Sequence, residues 1–205
     1  MDIEAVVDTY KKGLVELNLM VSATEHEVIH GTHGVPLVTD NINFFTKSFL
    51  ISTCAHLEMC VKEIVFAVAT DIDTRLSSAS VPVSIIEWRY NQKQKKETSK
   101  TNANCCAIGM TKKEVDDLVS GNVYRTKDAL LLVGVDLASN VLLWESWKDL
   151  IQAIVTRRNN IVHHNDDASD LSLGDIRSYI NSVTEYINFI IDSCKAANKA
   201  SGDRV

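Results

Sequence analysis

The chain has 205 residues, 45% of them hydrophobic and 23% charged, and its 21 basic against 27 acidic side chains leave a formal charge of −6. That is the balance of one compact soluble domain; it argues against unassisted binding to nucleic acid, which runs on surplus Lys and Arg, while leaving room for a local basic site. Two prolines and eight glycines are too few backbone breakers for a collagenous, low-complexity or turn-dense β protein, so an all-α fold is expected.

The opening Met1-Asp2-Ile3-Glu4 is acidic and lacks the basic stretch of a secretory signal, which gives a cytoplasmic protein as the expectation. Ile3, Val7, Tyr10, Leu14, Leu17, Val21 and Val28 then recur with the period of a helix burying one stripe, from about Asp2 to about His30. Gly31, Gly34 and Pro36 break the chain, and Asp40 or Asn41 is placed to cap a second helix. Its stripe is Leu50, Cys54, Leu57, Val61, Ile64, Val68 and Ile72, and it reaches roughly Arg75.

Residues from about 79 to 139 are less regular and read as an insertion within a single domain spanning 1–205. The insertion holds Arg89, Lys93, Lys95, Lys96 and Lys100 beside Trp88 and Tyr90. Cations mixed with rings suit single-stranded RNA, whose bases stack while its phosphates pair, and they suit a solvated loop equally well. Thr111 with Glu114 makes a capping box for a short helix ending near Gly121-Asn122, and Val133 to Leu137 fits helix or strand and is read as helix. The longest apolar run, Ala129 to Val135, falls far short of the roughly 20 residues that cross a bilayer, so no membrane partner is expected.

Trp147, Leu150, Ile151, Ile154, Val155, Ile161 and Val162 mark a long helix from about Asn140 to about His163. A polar turn with Asp166, Asp167, Ser169 and Asp170 follows, and Ser172 with Asp175 opens the last helix. Its seam of Leu173, Ile176, Ile180, Val183, Ile187, Ile190 and Cys194 is the most regular in the chain. Four long amphipathic helices predict an up-down four-helix bundle, with a mostly helical insertion between the second and third core helices. Of five cysteines, Cys105 and Cys106 are adjacent and none forms a Cys-x-x-Cys, so neither a disulfide framework nor a cysteine zinc site is suggested. Cys54, Cys60 and Cys194 read as small core residues.

Chemistry concentrates at Arg158-Asn159-Asn160-Ile161-Val162-His163. After Ile151, Ile154 and Val155 the next stripe position is Arg158, so a permanent cation stands where the pattern wants an apolar side chain. Burying it unpaired costs several kcal/mol, so it needs a carboxylate, a phosphate or a second subunit. Asn159 and His163 share one face, whereas Arg158 and His163 diverge by roughly 140° on an ideal helix. Convergence needs a helix end where His163 turns back, or a twofold dimer. An imidazole, a guanidinium and an orienting amide are the parts of a ribonuclease that works without metal. The same residues also fit a structural reading, with Arg158 in an ion pair and His163 and His164 favoured by the helix dipole.

The segment Arg158 to His164, preceded by Leu150 and Ile154 and followed by a polar turn and a helix with Tyr179 and Tyr186, resembles the HEPN domain family in its RiboL-PSP-HEPN branch. Phe49-Leu50-Ile51 through Val61-Lys62-Glu63-Ile64 is similar to that family's second helix, with Glu58 at the position of a carboxylate near the motif. The resemblance implies a homodimeric, cofactor-free RNA endonuclease, a toxin or phage-defence effector, with an antitoxin or regulatory protein as a further partner. It implies His163 as acid or base, Arg158 stabilising the transition state and Asn159 orienting the phosphate, with Asn160 and His164 in support. Glu58 would hold Arg158 in place, and the product would carry a 2′,3′-cyclic phosphate. Beside the motif, Arg157 together with Lys93, Lys95 and Lys96 is expected to contact RNA.

The main rival is a non-catalytic helical module of the same fold that binds RNA or protein. A distant third is a zinc-dependent hydrolase, because His26-Glu27-Val28-Ile29-His30 matches His-Glu-x-x-His, with His33 as a possible further ligand. The helix ends soon after, at Gly31, and no room remains for the sheet of such proteases. No phosphate loop, dinucleotide fingerprint or Gly-x-Ser-x-Gly elbow occurs.

Overall fold

A computed structural model describes residues 2–30, 36–79, 81–82, 84–86, 109–164 and 166–202. Its helices are α1 (Ile3–His30), α2 (Pro36–Thr39), α3 (Ile42–Ala79), α4 (Lys112–Leu118), α5 (Val123–Leu132), α6 (Val141–His164) and α7 (Leu173–Gly202), with one 3₁₀ turn at Leu137–Ser139. Among the described residues there is no strand, and no helix is long and apolar enough to cross a membrane.

The four long helices form the up-down bundle that their stripes predict. Lys195 pairs with Glu4, and Arg177 meets Glu25 at 3.2 Å, so α7 runs antiparallel to α1. The longest helix, α3, touches each of the other α-helices. Every residue of the α7 seam is buried, and all of them join one core with Leu14, Leu57, Val61, Ile64, Ile151 and Ile154. Near the middle of both helices the His56 ring of α3 lies against Gly13 of α1. A Cβ there would lie 2.5 Å from Nε2 of His56, whose Nδ1 sits 2.8 Å from the Ser52 carbonyl.

Caps set the ends of the elements. Ser172 and Asp175 form a reciprocal box, with Asp175 Oδ2 accepting from Ser172 N at 2.8 Å and Ser172 Oγ from Asp175 N at 3.0 Å. The Ser172 hydroxyl, which donates to the same carboxylate at 2.7 Å, and then the Ser172 N–H hold the Asp175 carboxyl below its usual range. The Thr111–Glu114 box also forms, but α4 stops at Leu118, and Asn122 begins α5 instead of ending α4. Its Oδ1 accepts from Tyr124 N and Arg125 N.

Three further expectations are corrected. Val133 to Leu137 is not helix, because Gly134 takes a left-handed φ of 84°. Gly134 N and Val135 N close back on the Leu131 and Leu130 carbonyls and terminate α5. Asn41 does not cap α3 with its side chain; its Nδ2 donates to the Leu37 carbonyl of α2, a one-turn helix that Pro36 starts rather than prevents. Val28, Leu150 and Val162, assigned to buried stripes, are substantially exposed. Val28 and Val162 belong to the last turns of helices that outrun the core.

The insertion folds back on the core. Gln152 Oε1 of α6 accepts from Val123 N at 3.2 Å. A Cβ on Gly121 would stand 3.3 Å from Val155 Cγ1 and 3.8 Å from Glu58 Oε2, so the 119–122 loop lies tightly over the upper α3/α6 groove.

Tyr186 is a polar misfit in the core. It is 1% exposed and its ring lies against Trp147 and Phe189. Its hydroxyl has no hydrogen-bond partner, and burial pushes the phenol pKa up. Tyr186→Phe removes a desolvated group that nothing satisfies, so urea denaturation is expected to find the variant as stable as the wild type or more stable by up to about 1 kcal/mol. A clear loss of stability would mean that the hydroxyl is satisfied in solution.

Candidate active site

The site is organised by Arg158. The residue is half-buried on α6, and its charge is felt by Cys54 of α3. Burial pushes the Cys54 thiol up to about 12, with the Arg158 charge acting downward and the Glu58 carboxylate upward. Arg158 Nη1 donates to Asn159 Oδ1 at 3.0 Å, while its Nε is buried and unpartnered. Among the described residues no carboxylate forms an ion pair with it.

The expected Arg158–Glu58 pair is therefore corrected. Glu58 Oε1 is bound at 2.9 Å by Lys62, one turn further along α3, and Lys62 also reaches Asp116 of α4 at 3.1 Å. Burial works against the Lys62 charge, but the two carboxylates outweigh it and raise its pKa. Asp116 of α4 thus shares the Lys62 ammonium with Glu58, and no ion pair joins Glu58 to Arg158 among the described residues.

Helix α6 continues without a break through His164. His163 therefore does not turn back toward Arg158, and the route to convergence through a helix end is closed within one chain. His163 and His164 are exposed, Asn159 and Asn160 half-buried. The structure brings together Arg158, Asn159 and the Cys54/Glu58 stretch of α3, and leaves His163 apart on the last turn. Val162 stands seven residues beyond Val155 and so on nearly the same face, yet Val155 is 2% exposed and Val162 48%. The loop over the groove stops short of Val162, so this face of α6 is open from the motif downward.

The RiboL-PSP-HEPN family model matches residues 29–196. The chain belongs to this HEPN domain family. Neither the curated proteins nor the solved structures gave a match. The HEPN match starts near the end of α1 and runs through the 79–139 segment, which the sequence resemblance left out. It contains Arg158, Asn159, Asn160, His163, His164 and Glu58.

Arg157 has a different task from the RNA contact expected of it. Its Nη2 donates to the Asp167 carbonyl at 2.7 Å and pairs with Asp170, and its Nη1 lies 3.9 Å from Asp166. The guanidinium is taken up by the turn after α6. Lys93, Lys95 and Lys96, with Arg89, Lys100, Trp88, Tyr90 and His33, lie outside the described residues. His26 and His30 are exposed at the end of α1, ring centroids 4.9 Å apart. Among the described residues no three side chains of metal-ligating type come together there or elsewhere.

Sequence reasoning missed Cys54 as a neighbour of Arg158, and Lys62 and Asp116 as the groups that engage the Glu58 side of α3. Cys54 was visible only as a stripe residue, and a stripe shows burial but not the partner across the interface.

A half-buried guanidinium without an acid is a stability cost kept in place. Arg158→Met, which keeps the stem and removes the charge, is expected to leave the unfolding free energy unchanged or raise it by about 1 kcal/mol in urea titration. A loss above about 2 kcal/mol would reveal a structural ion pair.

Proposed function

We propose that this protein is a metal-independent endoribonuclease of the toxin or antiviral-defence type, acting as a homodimer. The observation that carries the reading is the unneutralised Arg158 guanidinium beside Cys54 and Glu58, five residues before an exposed histidine on the final turn of the same helix. A cation that folding does not neutralise is available to a phosphate, and membership of a HEPN family favours RNA as its source.

In this reading a histidine removes the proton of the ribose 2′-OH. The freed oxygen attacks the adjacent phosphorus, the bond to the 5′-oxygen breaks, and that oxygen takes up a proton. Arg158 offsets the charge that builds on the non-bridging oxygens, and Asn159, already bonded to Arg158, orients the phosphate. The products are a 2′,3′-cyclic phosphate and a free 5′-hydroxyl. Because α6 is unbroken, one Arg158 and one His163 diverge by roughly 140°, so the reading assigns the two roles to different subunits across a twofold axis. Asn160 and His164 would flank the bound strand.

The divergence within one chain also favours a second reading, a non-catalytic helical module that binds RNA or protein through Arg158. Incubation of wild type and His163→Ala with total RNA in EDTA separates them. Cleavage by the wild type alone, with 2′,3′-cyclic ends, is expected; equal behaviour of the two would favour the module. Mixing Arg158→Ala with His163→Ala protein should regenerate about a quarter of wild-type activity, since half of randomly paired dimers are mixed and each has one intact composite site. No regeneration would argue against a shared site.

A further inference from the structure

We infer that Arg157, through its grip on the 166–170 turn, is a positioning residue for His163, an inference that rests on the ribonuclease reading above. The His163 ring is exposed and makes no hydrogen bond among the described residues, so its place depends on the backbone that carries it. That backbone ends within a turn. Asp166 N closes the helix on the Asn160 carbonyl at 3.4 Å, a long bond at the limit of useful geometry. Beyond it the turn is fixed at two points. One is Ala168, 1% exposed, whose N–H donates to Asn43 Oδ1 of α3 at 3.0 Å and to Asp167 Oδ1 at 2.8 Å.

Arg157 is the other point. It projects from α6 less than two turns before His163 and bonds residues on the far side of it, the Asp167 carbonyl and the Asp170 carboxylate, with Asp166 also near. The last turn of α6 is thereby held between its own helix and a strap that returns to it. A planar guanidinium can serve a carbonyl and a carboxylate at once, whereas an ammonium is a point charge. The two adjacent arginines divide the work, Arg158 left open toward substrate and Arg157 spent on the turn.

The test compares kcat and KM for RNA cleavage, at a temperature well below each protein's melting transition, for wild type, Arg157→Ala, Arg157→Lys and Asp170→Asn. NMR of the His163 ring in the same proteins supplies a readout independent of turnover. Displacement by about 1 Å can cost 10²-fold in rate. Arg157→Ala is expected to lower kcat by roughly 10- to 100-fold with KM within about threefold, and to shift or broaden the His163 ring signals. Lysine should restore little, and Asp170→Asn should reproduce part of the loss. The Asp170 side chain is 67% exposed, so this variant decides the matter even if Arg157→Ala does not fold.

A raised KM with unchanged kcat would overturn the inference in favour of a direct phosphate contact. Unchanged kinetics and ring signals would reduce the pair to surface decoration. Wild-type protein that cleaves no RNA overturns the ribonuclease reading itself, a result distinct from active wild type with an indifferent Arg157→Ala.

Discussion

The half-buried charge of Arg158 is the constraint on which the rest of the motif's architecture turns. Helix α6 otherwise presents Ile151, Ile154, Val155 and Ile161 to the core, and a methionine or leucine at 158 would extend that surface at no electrostatic cost. The chain instead keeps a guanidinium whose Nε is sealed from water without a partner. Glu58, whose charge like that of Arg158 reaches Cys54, is occupied by Lys62. Desolvating a cation without an adjacent anion costs several kcal/mol, and the core of α1, α3, α6 and α7 is what offsets it.

The insertion bears on the same balance. Lys62 holds Glu58 along α3 and is shared with Asp116 of α4, while Gly121 and Val123 anchor the neighbouring loop on Val155 and Gln152. Had Glu58 been free to swing onto Arg158, the guanidinium would be neutralised in the fold and of little use to a phosphate. The segment between the second and third core helices thus packs against the Glu58–Lys62 pair and Val155 although it contributes no motif residue. It also limits the groove, which is shut at Val155 and open at Val162.

Most of the fold is legible in the sequence because helical stripes and caps are local signals. The α7 seam, the Ser172–Asp175 and Thr111–Glu114 boxes and the ends of α1 and α6 follow from spacing and side-chain chemistry within a few residues. What failed depended on partners distant in sequence or on a backbone state. Val133 to Leu137 has the composition of a helix, but Gly134 is free to adopt the left-handed conformation that ends one. Glu58 stands at the right place to meet Arg158, but Lys62 is one turn away and Asp116 more than fifty residues on. Arg157 and Arg158 are indistinguishable as residue types, and only the three-dimensional turn separates the engaged one from the open one.

That separation has a geometric origin. Consecutive residues on a helix point about 100° apart, so two adjacent arginines cannot face one environment. On α6 one of the pair faces α3, where Cys54 and the bundle interior raise the cost of its charge. The other faces the returning chain, where the Asp167 carbonyl and the Asp170 carboxylate bind it and Asp166 lies near. The two carboxylates of the turn that pair with Arg157 are thereby engaged away from Arg158, and an arginine pair followed by an aspartate-rich turn becomes a way of keeping one cation unspent beside an acidic segment.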